Sequence, residues 1–110
     1  MDIQSVLAGT GIPTYAGAWI PANDGDMPPA QYIVHNYARA PDASAGDEVI
    51  EIATYAYANL YSGTSPTAAI ALIRAAAEAA GWGTVDERSS YDSENNCYMT
   101  SWTFVAQEAV

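Results

Sequence analysis

The stretch TSPTAAIALIRAAAEAAGWG, residues 64–83, contains the strongest local signal in this sequence of 110 residues. Alanine has the highest helix propensity of all residue types, and it fills most positions between Pro66 and Gly81. Ser65 is a suitable N-cap, proline suits the first helical position, and glycine suits a left-handed cap after the last turn. We therefore predict a helix over about residues 65–80.

The predicted helix is amphipathic, with small apolar residues on one side. Its apolar stripe contains Ile70, Ile73, Ala76, Ala77 and Ala80, widened by Ala69 and Leu72. Arg74 and Glu78 are four residues apart and are expected to lie together on the solvent side of the helix. The small side chains of the stripe predict close packing on a sheet.

Segments typical of β-strands lie on both sides of this helix. Strands are predicted over about residues 14–20, 31–39, 47–58, 83–91 and 97–109, and a short helix near residues 3–8. Pro41 and Gly46 are expected to end the second strand. The order α-β-β-β-α-β-β with short links predicts a single α+β domain over residues 1–110, with a mainly antiparallel sheet and the main helix packed on one face.

Charge excludes several classes of function. Thirteen Asp and Glu face three Arg, with no Lys, for a net charge of −10. Nucleic-acid binders need basic side chains to neutralise phosphates, and anionic membranes repel such a chain. The start of the sequence lacks the basic residues of a signal peptide, which favours an intracellular protein. A single cysteine cannot form an intramolecular disulfide or a cysteine-rich metal cluster.

His35 and Cys97 are the residues with the strongest potential for nucleophilic chemistry or metal binding. A catalytic triad or a metal site needs further partners, and no motif near either residue supplies them. His35 lies in the alternating segment QYIVHNYAR, where an ordinary strand histidine is favoured. Cys97 is expected to behave as a small hydrophobic residue.

Two acidic segments suggest other sites. Asn23, Asp24 and Asp26 resemble part of a calcium loop but lack its regular oxygen spacing, so a solvated turn is favoured. Paired carboxylates can serve a glycosidase, and the hairpin near residue 90 offers four: Asp86, Glu87, Asp92 and Glu94. A sheet with one long helix gives little room for the cleft such an enzyme needs. We therefore expect no enzymatic activity and no cofactor.

The sequence resembles a family of small phage proteins, the tail terminators and head–tail joining proteins of long-tailed phages. The resemblance lies in the segments PPAQYIV, VIEIATY and SWTFVAQE, and in the small-residue helix that ends in AAAEAAGW. It extends from about Pro13 to Glu108. An inserted Ala-Gln after Pro29, the alanine richness and the lack of lysine depart from the family pattern.

The resemblance implies a virion protein of the neck or tail, assembled in the host cytoplasm. Such a protein forms a ring, usually a hexamer, which caps the tail tube and joins it to the head completion or connector protein. DNA passes through the ring without specific binding. The candidates to face this channel form two acidic clusters: Asp42, Asp47 and Glu48 between the second and third strands, and Asp92 and Glu94 in the last hairpin. Either cluster could line the channel, and the alternative for both is that they simply keep the protein soluble. The alternative is a small acidic module, such as an inhibitor or immunity protein, that covers a basic protein partner.

Overall fold

A computed structural model describes the backbone of residues 3–45 and 48–109 and the side chains of residues 3–36 and 53–106. Its elements are α1 (Ile3–Ala8), β1 (Thr14–Ala16), β2 (Gln31–Ala45), β3 (Glu48–Ser62), α2 (Thr67–Ala79), β4 (Gly83–Asp92) and β5 (Cys97–Ala109). The strands form one sheet in the order β1-β2-β3-β5-β4. All neighbouring strands are antiparallel except β1 and β2. The predicted α+β fold and element order are confirmed.

Both helices pack on the same face of the sheet, where they form the hydrophobic core. The helices contribute Ile3, Val6 and Leu7 from α1 and Ala69, Ile73 and Ala77 from α2. The strands contribute Ile33, Ala56, Ala58, Leu60, Trp102 and Phe104. The four-residue spacing of the buried positions in α2 keeps them on one side of the helix, so small side chains meet the sheet as the sequence predicts.

Leu72 was predicted in the apolar stripe, and this prediction is wrong. Its side chain is 52% exposed, whereas that of the adjacent Ile73 is 0% exposed. Successive residues of an α-helix are rotated by about 100°, so a residue beside the centre of the buried stripe faces away from the sheet. The buried stripe is narrower than the sequence predicts, because only Ala69, Ile73 and Ala77 of α2 are buried.

The two ends of α2 differ in how well the sequence predicted them. The helix starts at Thr67, with Pro66 as its flanking residue, and Ser65 Oγ contacts Thr67 Oγ1 at 3.2 Å instead of capping a backbone N–H. The predicted Ser65 cap is therefore wrong. At the other end Gly81 has φ +87°, as predicted. Its N–H donates to the Glu78 carbonyl and the Trp82 N–H donates to that of Ala77, which forms a Schellman motif.

The first two strands differ in length from the prediction. β1 ends at Ala16 rather than near residue 20, because Gly17 has φ +79° and turns the chain away from the sheet. β2 does not end at Pro41 but continues to Ala45, with shifts in register after Pro41. β1 covers only three residues of β2, so Pro41 lies on an open edge where a strand tolerates proline and bulges.

The molecule is elongated, measuring 53 × 30 × 25 Å, with a radius of gyration of 15.8 Å. A compact chain of this length has a radius of gyration of about 13 Å. β2 and β3 each have 15 residues and so extend over about 50 Å. β4 begins at Gly83, which pairs with Val105 of β5, and Val105 in turn pairs with Tyr55 of β3. Residues 39–45 of β2 and 48–54 of β3 lie beyond the start of β4, and we call them the β2–β3 arm.

Candidate functional site

The structure separates the acidic residues predicted to face a channel. Asp92 ends β4 and Glu94 lies in the following turn, at the end of the sheet where β3 finishes. Asp42 and Glu48 lie in the β2–β3 arm at the opposite end, and Asp47 lies outside the described residues. Since the molecule is 53 Å long, the two groups form two distinct acidic ends rather than one site.

Asp92 closes the turn between β4 and β5. Its carboxylate accepts hydrogen bonds from the Asn95 side chain at 2.6 Å, from the Glu94 N–H at 3.0 Å and from the Asn95 N–H at 3.3 Å. These donors, above all the Asn95 amide, hold the pKa of Asp92 below its ordinary value. The Asp92 and Glu94 side chains are both exposed, and that of Asp92 is held by the hydrogen bonds of the turn.

Asp86 and Glu87, the other carboxylates considered for acid–base chemistry, are each paired with an arginine. Asp86 accepts from Arg88 Nε at 3.0 Å on the exposed edge of β4. Glu87 accepts two hydrogen bonds from Arg74, one of them from Nε at 2.7 Å, and a third from the indole N–H of Trp102. Arg74 and Glu78 are both exposed, as predicted, and Arg74 bonds to Glu87 of β4. Glu87 thus joins β4 to α2 and β5, whereas Asp86 bonds within β4, and the two carboxylates do not converge on one site.

The bonds of Glu87 predict a pH dependence of stability. Hydrogen bonding to Arg74 is the main cause that holds the pKa of Glu87 below its ordinary value of 4.5. A depressed carboxyl pKa stabilises the folded state above the ordinary value, and this contribution is lost as the pH falls through the folded-state pKa. Wild type should therefore be more stable than Glu87→Gln at about pH 6, with the difference shrinking towards about pH 3.

Thermal unfolding of both proteins across this pH range measures the effect. Glu78→Gln is the matched control, because Glu78 is an exposed carboxylate on the same helix as Arg74, whose guanidinium bonds to Glu87. A gap between wild type and Glu87→Gln that stayed constant down to the lowest pH would contradict the assigned ion pair.

His35 is buried among the residues that the helices cover. It is 4% exposed, and its Nε2 shares a hydrogen bond with Oε1 of Gln4 from α1. This bond joins α1 to the centre of β2, across about 30 residues of chain. Cys97 lies at the start of β5, where it lines a cavity on the other face of the sheet. The two residues are separated by the sheet, so the structure does not bring them together.

Asn23 and Asp26 form a closed turn in the loop before β2. The Asn23 N–H donates to an Asp26 carboxylate oxygen at 2.9 Å, and the Asp26 N–H donates back to the Asn23 carbonyl at 3.2 Å. The turn therefore occupies one carboxylate oxygen of Asp26 and the backbone carbonyl of Asn23 with its own hydrogen bonds. Among the side chains of residues 3–36 and 53–106, no cluster of three or more His, Cys, Asp or Glu is placed to hold a metal ion.

The face of the sheet opposite the helices is rich in tyrosine. Strand register places alternate residues of the three central strands on this side, including Ala53 and Cys97. We call the eleven with described side chains between these two the tyrosine face: Tyr32, Val34, Asn36, Tyr55, Tyr57, Asn59, Tyr61, Met99, Ser101, Thr103 and Val105. The rings of Tyr32 and Tyr61 stack with their centroids 5.0 Å apart. Tyr57 is 44% exposed and Met99 36% exposed. The sequence showed these tyrosines alternating along two strands but did not indicate that their side stays uncovered.

One end of the tyrosine face opens into a cavity of about 680 Å³. Tyr32, Tyr61 and Met99 line it, together with residues 27–30 on one side and the β4–β5 turn on the other. Burial, with smaller effects of Tyr61 and Cys97, raises the pKa of the Tyr32 hydroxyl. The surface is therefore concave and aromatic at this end, with the thiol of Cys97 at its edge.

Comparison with solved structures gives a likeness of fold over nearly the whole chain. The similar chain belongs to the virion of a native gene transfer agent (GTA) particle, with a TM-score of 0.52 and 16% sequence identity. The likeness covers 96% of this chain and 86% of that chain. At this identity it shows a shared fold. No protein-family model matches the sequence, and no curated protein matches it either.

In the part of the chain that the structure describes, neither helix combines the length and apolar character needed to cross a bilayer.

Proposed function

We propose that this chain is a structural protein of a phage-type virion, which forms a ring at the end of the tail tube and joins it to the head completion proteins. The observation that carries the proposal is the fold shared with a chain of a gene transfer agent virion over 96% of this chain. The segments of the phage-family resemblance support it, because they contribute to β2, β3 and β5, the three central strands of the sheet.

The bonding of the carboxylates supports a structural role rather than an enzymatic one. Glu87 ties α2 to the sheet through Arg74, and Asp92 holds the β4–β5 turn. A general acid or base must be free to exchange a proton with substrate, whereas these groups are occupied by partners within the fold. The proposed protein therefore acts by assembly and by its surface charge.

Deleting the gene from the genome that encodes the chain tests this function. We expect filled heads and separate tails, or tails of irregular length, in electron micrographs, with normal particles restored by the wild-type gene. Rings in negative-stain images of the purified protein are the second expected result. Normal particles from the deletion strain would reject the virion role.

The net charge of −10 gives the proposed ring a second property. A channel wall that carries carboxylates repels the DNA backbone over roughly the Debye length, about 8 Å at physiological salt. A wall with lysines would instead exchange counterions with the phosphates and retain the DNA. Because the acidic residues form two ends, we propose that one end lines the narrow part of the channel.

Charge reversal at each end separates the two possibilities. Glu94→Lys changes the β4–β5 turn while Asp92 keeps the turn closed, and the triple change of Asp42, Asp47 and Glu48 to lysine alters the arm. We expect one of these variants to slow DNA ejection from assembled particles, measured by release of a DNA-binding dye. Glu78→Lys, on the exposed side of α2, is the matched control. Unchanged ejection in both variants would remove the idea of an acidic channel.

The acidic binding module is the competing function, and the charge of the chain is the observation that favours it. Carboxylates accelerate association with a cationic target, and such binding weakens as salt is added. A monomer that captures one basic protein, with affinity that falls at high salt, would replace the virion proposal.

A further inference from the structure

The tyrosine face is the one broad surface of the sheet that neither helix covers. Alternate residues of β3 on the helix side, such as Ala58 and Leu60, are at most 1% exposed. On the other side Tyr57 keeps 44% of its surface accessible. An antiparallel sheet can leave one face in water, and that face is then polar. Here the polar groups are uncharged: Asn36, Asn59, Ser101, Thr103 and the tyrosine hydroxyls.

None of the eleven residues of the tyrosine face is charged, although the chain has 13 carboxylates. Four of them are tyrosines and one is methionine, types that are enriched in protein–protein interfaces from which Asp and Glu are depleted. Charged side chains on the same side of the sheet lie at its border: Arg88 and Asp86 of β4, which bond to each other at 3.0 Å, and Asp92, which lines the cavity. The face is thus an uncharged area on a strongly acidic molecule.

This charge distribution discriminates between partners. A basic protein would be drawn to the carboxylates at the two ends of the molecule, not to an uncharged face. A second copy carries the same net charge of −10 and is repelled wherever carboxylates meet. An uncharged aromatic surface is where two such copies can approach with the least repulsion. Within the proposed ring, this charge distribution therefore favours the tyrosine face as the contact between copies.

The cavity at one end of the face gives this contact a place for an inserted side chain. It is lined by Tyr32, Tyr61 and Met99 and has a volume of about 680 Å³. Residues that contribute most to binding tend to lie in such desolvated pockets. The stacked rings of Tyr32 and Tyr61 are held in place before binding, which reduces the side-chain entropy lost on association.

We propose that the tyrosine face is the surface through which copies of this chain associate, with the cavity receiving a side chain of the neighbouring copy. The proposal rests on the ring of the proposed function and specifies the contact that builds it. In a closed ring larger than a dimer each contact joins two different surfaces, so the tyrosine face of one copy is covered by another surface of the next.

Tyr57→Glu tests the proposal, because Tyr57 is exposed and its replacement leaves the helix-side core intact. Sedimentation of the full chain over a range of concentrations should show dissociation constants raised by about tenfold or more, because association would bury an unpaired carboxylate. Ala75→Glu adds the same charge on the exposed side of α2 and should leave association within about twofold of wild type. Circular dichroism confirms that each variant is folded.

Salt provides an independent readout. Association through an uncharged face should strengthen between about 0.05 M and 0.5 M salt, because screening reduces the repulsion between acidic copies. Association that weakens with salt would overturn the proposal, as would a Tyr57→Glu protein whose association is impaired no more than that of Ala75→Glu. A wild-type chain that stays monomeric up to about 1 mM at high salt would also overturn it.

These results are separable from the test of the proposed function. If deletion of the gene blocks particle assembly but Tyr57→Glu assembles normally, the virion role stands and the tyrosine face is not the contact. If Tyr57→Glu abolishes association but the deletion strain makes normal particles, the contact stands and the virion role is rejected.

Discussion

Replacing Ile73 by alanine is expected to lower the free energy of unfolding by about 2–5 kcal/mol, the usual cost of removing a large buried aliphatic group. Ile73 is 0% exposed and lies at the centre of the side of α2 that meets the sheet. Its neighbours there are small, since Ala69 and Ala77 flank it one turn away on either side. These two alanine side chains are too small to fill a cavity at this position.

Leu72→Ala is the matched control for Ile73→Ala. It removes a similar side chain from the adjacent position, but Leu72 is 52% exposed, so the loss should be under about 0.5 kcal/mol. Urea unfolding followed by tryptophan fluorescence measures both variants. Equal losses in the two proteins would mean that α2 is rotated about its axis relative to the structure described above.

Trp102→Ala is expected to have an effect of similar or larger size, about 3–5 kcal/mol. Trp102 is 2% exposed in the middle of β5, and its ring lies nearly parallel to that of Phe104 at a centroid distance of 6.1 Å. Its indole N–H donates to Glu87, the residue that also binds Arg74. Removing the indole therefore loses apolar burial and weakens the link between β4 and α2.

Trp102→Phe separates these two contributions. Phenylalanine retains much of the buried area but has no donor for Glu87, so we expect a loss of unfolding free energy between wild type and Trp102→Ala. Thermal unfolding should rank the three proteins in that order. A Trp102→Phe protein as unstable as Trp102→Ala would show that the hydrogen bond, rather than burial, dominates at this position.

The separation of the two acidic ends changes how the proposed channel is pictured. No local pattern in the sequence places Asp42 and Glu94 far apart, yet the strand register puts them at opposite ends of a 53 Å molecule. A wall that contained both groups would need the strands to run along the channel. The two charge-reversal variants therefore report on the orientation of the chain in the ring as well as on its charge.

The amino-acid sequence determined the elements of the fold and their type. Alanine propensity and Gly81 defined α2 to within two residues at its start and one at its end, and alternation defined β5 over residues 97–109. These signals depend on neighbours along the chain, such as the backbone freedom of glycine or the two-residue period of a strand. For the same reason the sequence placed His35 correctly in a strand.

Tertiary structure alone decided which residues meet. Arg74 bonds to Glu87 rather than to Glu78 because β4 passes beside α2, and a bidentate bond to a partly buried carboxylate competes well with an exposed pair on one helix. The strand order decided that the tyrosines of β2 and β3 share an uncovered face with Met99, and that a cavity forms at its end. Such contacts depend on the pairing of strands that are distant in sequence, which local propensities and periodicities do not specify.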